Sequence, residues 1–149
     1  MQTTMMINYD EPIVKGADVC KYIPQRSPIV MIDSFFGVED NTSLSGLTIS
    51  DDNLFCSNGE LLDGGLIEHI AQSGAMQIGY IAISQGQEVP LGFIGSINKL
   101  TISRLPKVGE TLRTTIVFEA QVGDITLVGA TVRVADEIIA QGKMKVATK

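Results

Sequence analysis

The chain of 149 residues has no tryptophan, one histidine and two cysteines, and aromatic residues make up only 5% of it. The single histidine, His69, makes a metal centre improbable, because zinc and related ions take several nitrogen or sulfur ligands. Cys20 and Cys56 stand in unlike contexts and form no Cys-x-x-Cys pair, so free thiols are expected rather than a disulfide. Cations are few: 11 Lys and Arg against 17 Asp and Glu give a formal charge of −6, which argues against a nucleic-acid partner. No apolar run approaches the ~20 residues that cross a bilayer, so no membrane association is expected. The opening residues, MQTTMMINYDEPIVKG, have neither the basic start nor the apolar stretch of a secretory leader. Cytoplasmic residence is the expectation, without a cofactor.

What remains is the composition of a soluble globular protein, 44% hydrophobic and 19% charged. The length suits one domain over 1–149, with 1–16 as an N-terminal extension. Residues 17–23 could form a short amphipathic helix ended by Pro24 and Pro28. Residues 28–39 and 42–50 read as a hairpin turning at Asp40-Asn41, and 51–63 as a loop rich in turn formers. A helix is expected at about 65–85, closed by Gly86 in a left-handed cap. Its interior glycines, Gly74 and Gly79, suggest that a sheet or a partner approaches closely. Four β segments follow, at 91–105, 110–122, 125–135 and 137–147, separated by turn signals at hairpin spacing. Together these predict an α+β domain in which an antiparallel meander curves around one buried helix.

The segment GGLIEHIAQSGAMQIGY, 64–80, carries the chemistry. A helix starting at Gly64 or Gly65 leaves N–H groups that can stabilise negative charge on a substrate oxygen, and Glu68 lies one turn on. Gln72, a further turn along, can hydrogen-bond the Glu68 carboxylate, though an ordinary exposed pair has the same spacing. Asp63 is either a helix cap or an acid-base partner. His69 directly follows Glu68 and therefore points about 100° away around the helix. A polar contact at the helix flank or a dimer surface is expected of it. Cys56 could act as a base if its pKa were depressed, or could simply fill a small buried space.

Several of these segments resemble the hot-dog-fold 3-hydroxyacyl-ACP dehydratases of fatty-acid synthesis. The matching residues are Ile23-Pro24-Gln25-Arg26-Ser27-Pro28, Glu68 with Gln72, Gly95 to Asn98, and Pro106 to Glu110. The chain looks closest to the divergent dehydratase-like proteins of aryl-polyene pathways. The resemblance implies a lyase that dehydrates a β-hydroxyacyl thioester. Glu68 would serve the hydroxyl side and the Gly64 or Gly65 amide would polarise the carbonyl. The family's basic histidine, in a Gly-His-Phe-Pro loop, has no counterpart: its position falls near Leu54, in Asn53-Leu54-Phe55-Cys56.

Leu54, Phe55, Cys56 and Met76 are candidate substrate-lining residues, and Arg26 and Lys99 or Arg104 candidate contacts for a carrier phosphate. The missing base suggests completion by a histidine-bearing hot-dog paralogue in a heterodimer, with a homodimer as the other possibility. An acyl-CoA or acyl-ACP thioesterase using Glu68 and a non-catalytic acyl-binding subunit are the alternatives.

Overall fold

The computed structural model describes residues 6–90 and 94–147; the expected strand start at Leu91-Gly92-Phe93 lies outside them. Strand β1 (Val14–Lys15) leads into a 3-10 turn, Gly16–Lys21, where a short helix was expected. β2 (Ser34–Glu39) and β3 (Thr42–Thr48) form the anticipated hairpin, with Asp40 at a positive φ of 56° in its turn. The supposed loop contains a miniature hairpin, β4 (Cys56–Ser57) and β5 (Glu60–Leu61), across Asn58-Gly59. Both turn residues have positive φ, 54° and 79°, which Asn-Gly tolerates.

Helix α1 runs over Asp63–Ser84, and Gly86 takes the expected left-handed conformation at φ 74°. β6 (Ile94–Ile102), β7 (Thr111–Val122), β8 (Ile125–Val134) and β9 (Glu137–Ala147) complete the chain. Seven strands form one antiparallel sheet in the order β1-β2-β3-β7-β8-β9-β6. The four last strands are therefore not a simple meander. β6 pairs with β9 at the far edge, and β7 joins β3 instead. The reason lies in Pro106 to Gly109, which docks elsewhere rather than reversing into its neighbour. Pro106 O accepts the Leu61 N–H, Val108 N–H donates to Gly59 O, and Gly109 N–H donates to Ile49 O.

Period-two alternation turns Leu112, Thr114 and Ile116 of β7 and Val128, Ala130 and Val132 of β8 toward the helix. They join Leu66 and Ile70 of α1 in the main core. Phe35, Ile32, Val38 and Val19 form a second cluster with Ala75 and Met76. Gaining apolar neighbours on both sides, α1 is buried over most of its surface. A Cβ at Gly79 would collide with the Tyr22 carbonyl, so the close approach anticipated there comes from the segment before β2, not the sheet.

Candidate active site

The start of α1 is set by Leu62, which holds the cap position in extended conformation without a side-chain cap. Asp63 is the first helical residue rather than the cap, yet its Oδ1 still accepts the Gly64 N–H at 2.9 Å. The Gly65 N–H donates to Leu62 O at 3.0 Å. Both glycine amides thus have acceptors within the chain. Gly65 must lack a side chain: a Cβ would lie 2.5 Å from Phe55 Cβ and 2.6 Å from Leu61 Cδ1.

Glu68 is half-buried on the first turns. Gln72 is fully buried and fully committed. Its Nε2 donates to Glu68 Oε1 at 3.3 Å and to Ile29 O at 2.9 Å, while its Oε1 accepts the Met31 N–H at 2.7 Å. The carboxamide therefore ties the carboxylate to the segment leading into β2, and an exposed helix-surface pair is ruled out.

His69 lies at neither the helix flank nor the surface. It is fully buried between α1 and β7, with Nδ1 2.6 Å from Met31 O and Nε2 2.7 Å from Thr114 Oγ1. A carbonyl can only accept, so Nδ1 carries the proton and the Thr114 hydroxyl donates to Nε2. Burial pushes the imidazole pKa down from 6.5 to about 4, against smaller opposing effects of Met31 O and Asp33. A neutral ring with both nitrogens engaged has nothing left to offer a substrate. Met31 and Thr114 escaped sequence reasoning because no local pattern joins positions so far apart.

The remaining candidates divide. Leu54 is exposed and Phe55 half-buried against Gly65, both beside the helix start; Asn53 fixes that loop by accepting the Phe55 N–H at 2.9 Å, an Asx turn that the Asn could have signalled. Cys56 is half-buried on β4, and burial, with nearby Asp51, raises its thiol pKa, the opposite of activation. Arg26 folds back onto the carbonyls of Ile23 and Gln25, at 2.7 and 2.8 Å. Met76 is buried in the second core cluster. Lys99 sits at φ 54° on a β6 bulge and lines a groove on the sheet face away from α1, so it is not part of the Glu68 site. Arg104 is committed to Glu110, at 2.9 and 3.0 Å, and to Glu137, and the Arg104 guanidinium holds the Glu110 carboxyl below its usual pKa.

Exposed apolar side chains occur on the segments near the helix start: Ile29, Leu54, Leu62 and Ile67 are 45%, 61%, 42% and 38% exposed. Two cavities, of about 660 and 500 Å³, lie elsewhere, and neither is lined by Glu68 or Gln72. Among the described residues no helix is long and apolar enough to cross a membrane.

A family model described as ApeP dehydratase, ApeP-like, matches residues 17–149. No curated protein matches the sequence. Among solved structures, the dehydratase heterocomplex ApeI:P from Xenorhabdus doucetiae aligns with a TM-score of 0.76 at 18% identity, covering 88% of this chain and 90% of that one. Zebra fish thioesterase superfamily member 2 aligns at 0.64 and 15% identity, over 87% and 89%. A hypothetical thioesterase from Streptococcus pneumoniae, solved with coenzyme A, aligns at 0.58 and 12% identity, over 78% and 84%.

Proposed function

The chain belongs to the ApeP-like dehydratase family and has the hot-dog fold, and from this we propose that it is the carboxylate-bearing half of a two-chain 3-hydroxyacyl-thioester dehydratase. The observation that carries the reading is the fate of the one histidine. With His69 locked in the interior, this chain supplies Glu68 but no basic imidazole.

Dehydration removes a proton from Cα and hydroxide from Cβ, leaving a double bond between them. A base takes the Cα proton while an acid protonates the departing hydroxyl, which leaves as water. Glu68 serves as the acid, and Gln72 holds it in place. The base is a histidine of a paralogous hot-dog partner. Two features favour such a partner: the exposed apolar side chains of the segments around the helix start and the nine-residue β6, a long strand at one edge of the sheet with, among the described residues, no second strand on its outer side. The similar Xenorhabdus structure is itself a heterocomplex. The substrate is an acyl thioester on a carrier protein or coenzyme A, in fatty-acid or polyene synthesis.

A thioesterase reading keeps one specific support, because a positioned carboxylate can activate water for thioester hydrolysis without a histidine. The experiment compares the chain alone and co-purified with a histidine-bearing hot-dog paralogue, acting on a 3-hydroxyacyl thioester. Enoyl formation by the complex, little by the chain alone, and its loss in Glu68→Gln are expected. Full activity of the chain alone, abolished by His69→Ala, overturns the reading. Thiol release that depends on Glu68 establishes the thioesterase, and a complex indifferent to Glu68→Gln reduces the chain to an acyl-binding subunit.

A further inference from the structure

The outer face of the sheet, turned away from α1, carries a groove of about 660 Å³ over β6, β8 and β9. A bulge shapes one side of it. In the pairing of β6 with β9, Asn98 stands opposite Lys143 and Thr101 opposite Gln141, which leaves Lys99 and Leu100 facing Gly142 alone. Leu100 turns inward: a Cβ on Gly142 would lie 3.0 Å from its Cδ1, and it packs against the main core. Lys99 is left exposed and lines the groove, at a φ of 54° that is disfavoured for a residue with a side chain.

The lining changes along the groove. One end holds two ammonium groups, those of Lys99 and Lys143. Lys143 donates to Glu119 Oε2 at 2.6 Å, and the carboxylate reaches it across Gly129, where a Cβ would lie 3.3 Å from that oxygen. Among the described residues no carboxylate forms an ion pair with Lys99, in a chain whose net charge is −6. Two residues further along the strands, a distance of ~7 Å, Thr101, Gln141 and Thr131 are successive partners on β6, β9 and β8 and set hydroxyl, amide and hydroxyl in one row. Among the described residues no aromatic side chain lines the groove, so a nucleotide base would find no ring to stack on.

We propose that the groove binds a sugar phosphate. The phosphate accepts from the ammonium groups of Lys99 and Lys143, and the hydroxyls of the sugar exchange hydrogen bonds with the row of Thr101, Gln141 and Thr131. Glu119 competes with the phosphate for Lys143 and so sets the affinity from outside the groove. The sheet separates this site from Glu68, so its ligand is distinct from the thioester.

The test titrates the full chain with glucose 6-phosphate, inorganic phosphate, glucose and octyl phosphate at matched ionic strength, following the backbone NMR shifts of Thr131 and Gln141. Glucose 6-phosphate should bind saturably, about tenfold or more tighter than phosphate or glucose. Two substitutions should act in opposite directions. Lys99→Gln weakens binding by about tenfold, and Glu119→Gln, which releases Lys143, strengthens it. Lys21→Gln and Glu88→Gln make the same charge changes at exposed positions elsewhere and should do neither. Thr131→Val should weaken glucose 6-phosphate and leave phosphate unchanged. Should Lys99→Gln misfold, Glu119→Gln and Thr131→Val still decide. Octyl phosphate binding as tightly as glucose 6-phosphate overturns the sugar. Shifts that follow ionic strength alone, or affinity indifferent to Lys99→Gln and Glu119→Gln, overturn the site itself.

Discussion

Thr114 and His69 meet across the interface of helix and sheet, hydroxyl to Nε2 at 2.7 Å, and through that contact the only histidine of the chain becomes part of its interior. The pairing makes stability depend on pH. The ring is neutral in the folded state with a pKa of about 4, below the 6.5 of an unfolded histidine. The unfolded chain therefore binds the proton first, and the stabilisation, complete above pH 6.5, is lost as pH falls toward 4. The loss amounts to about 3 kcal/mol once both states are protonated. Urea unfolding between pH 7 and 4 measures it, and His69→Gln should flatten the curve between pH 6.5 and 5. An equally steep fall in that variant would assign the effect to other groups.

Glu68→Gln keeps the size and hydrogen-bonding capacity of the side chain but removes its proton transfer. In the active complex kcat should fall about 100-fold or more, within the range of general acid catalysis, with KM and melting temperature little changed. Steady-state kinetics and a thermal melt on the same preparation check both halves.

Gln72→Ala strands the buried N–H of Met31 and the carbonyl of Ile29, and it frees Glu68. A loss of about 1–3 kcal/mol in chemical denaturation follows from leaving the buried Met31 N–H unpaired. Gln72→Glu retains the acceptor for Met31 but sets a carboxylate against Ile29 O and Glu68. It should be at least as destabilised at pH 7.

Gly79→Ala drives a methyl group into the Tyr22 carbonyl, where backbone rather than a flexible side chain must yield. A destabilisation of about 2–3 kcal/mol is expected, despite alanine's better helix propensity. By contrast, nothing lies within 4 Å of a Cβ built at Gly109, where the cost comes only from its φ of 92°. Denaturation midpoints of the two variants separate collision from backbone strain.

The strands were legible because alternations such as Thr131-Val132-Arg133-Val134 state which side of a strand is buried. They do not state which strand lies alongside: a meander sets β6 beside β7, whereas it pairs with β9. Pro106 to Gly109 reads locally as a reversal, but the acceptors and donors it finds on Ile49, Gly59 and Leu61 are distant in sequence. Asn58-Gly59 was a hairpin signal in plain view, hidden by the short strands on either side. At the site, Glu68 and Gln72 could be paired from helical spacing alone. The interior role of His69 could not, since its partners Met31 and Thr114 lie 38 and 45 positions away.

The peptide of Met31 is gripped at both polar ends by the helix, its N–H by Gln72 and its carbonyl by His69. These bonds work as a key in a slot. Were α1 to slide or turn by one residue, both would break at once, along with the Thr114 contact, so small displacements are resisted and intermediate settings have no foothold. The carboxylate next to His69 is thereby indexed to the chain entering β2, and a molecule pressing on Ile29 would push against the same latch that aims Glu68.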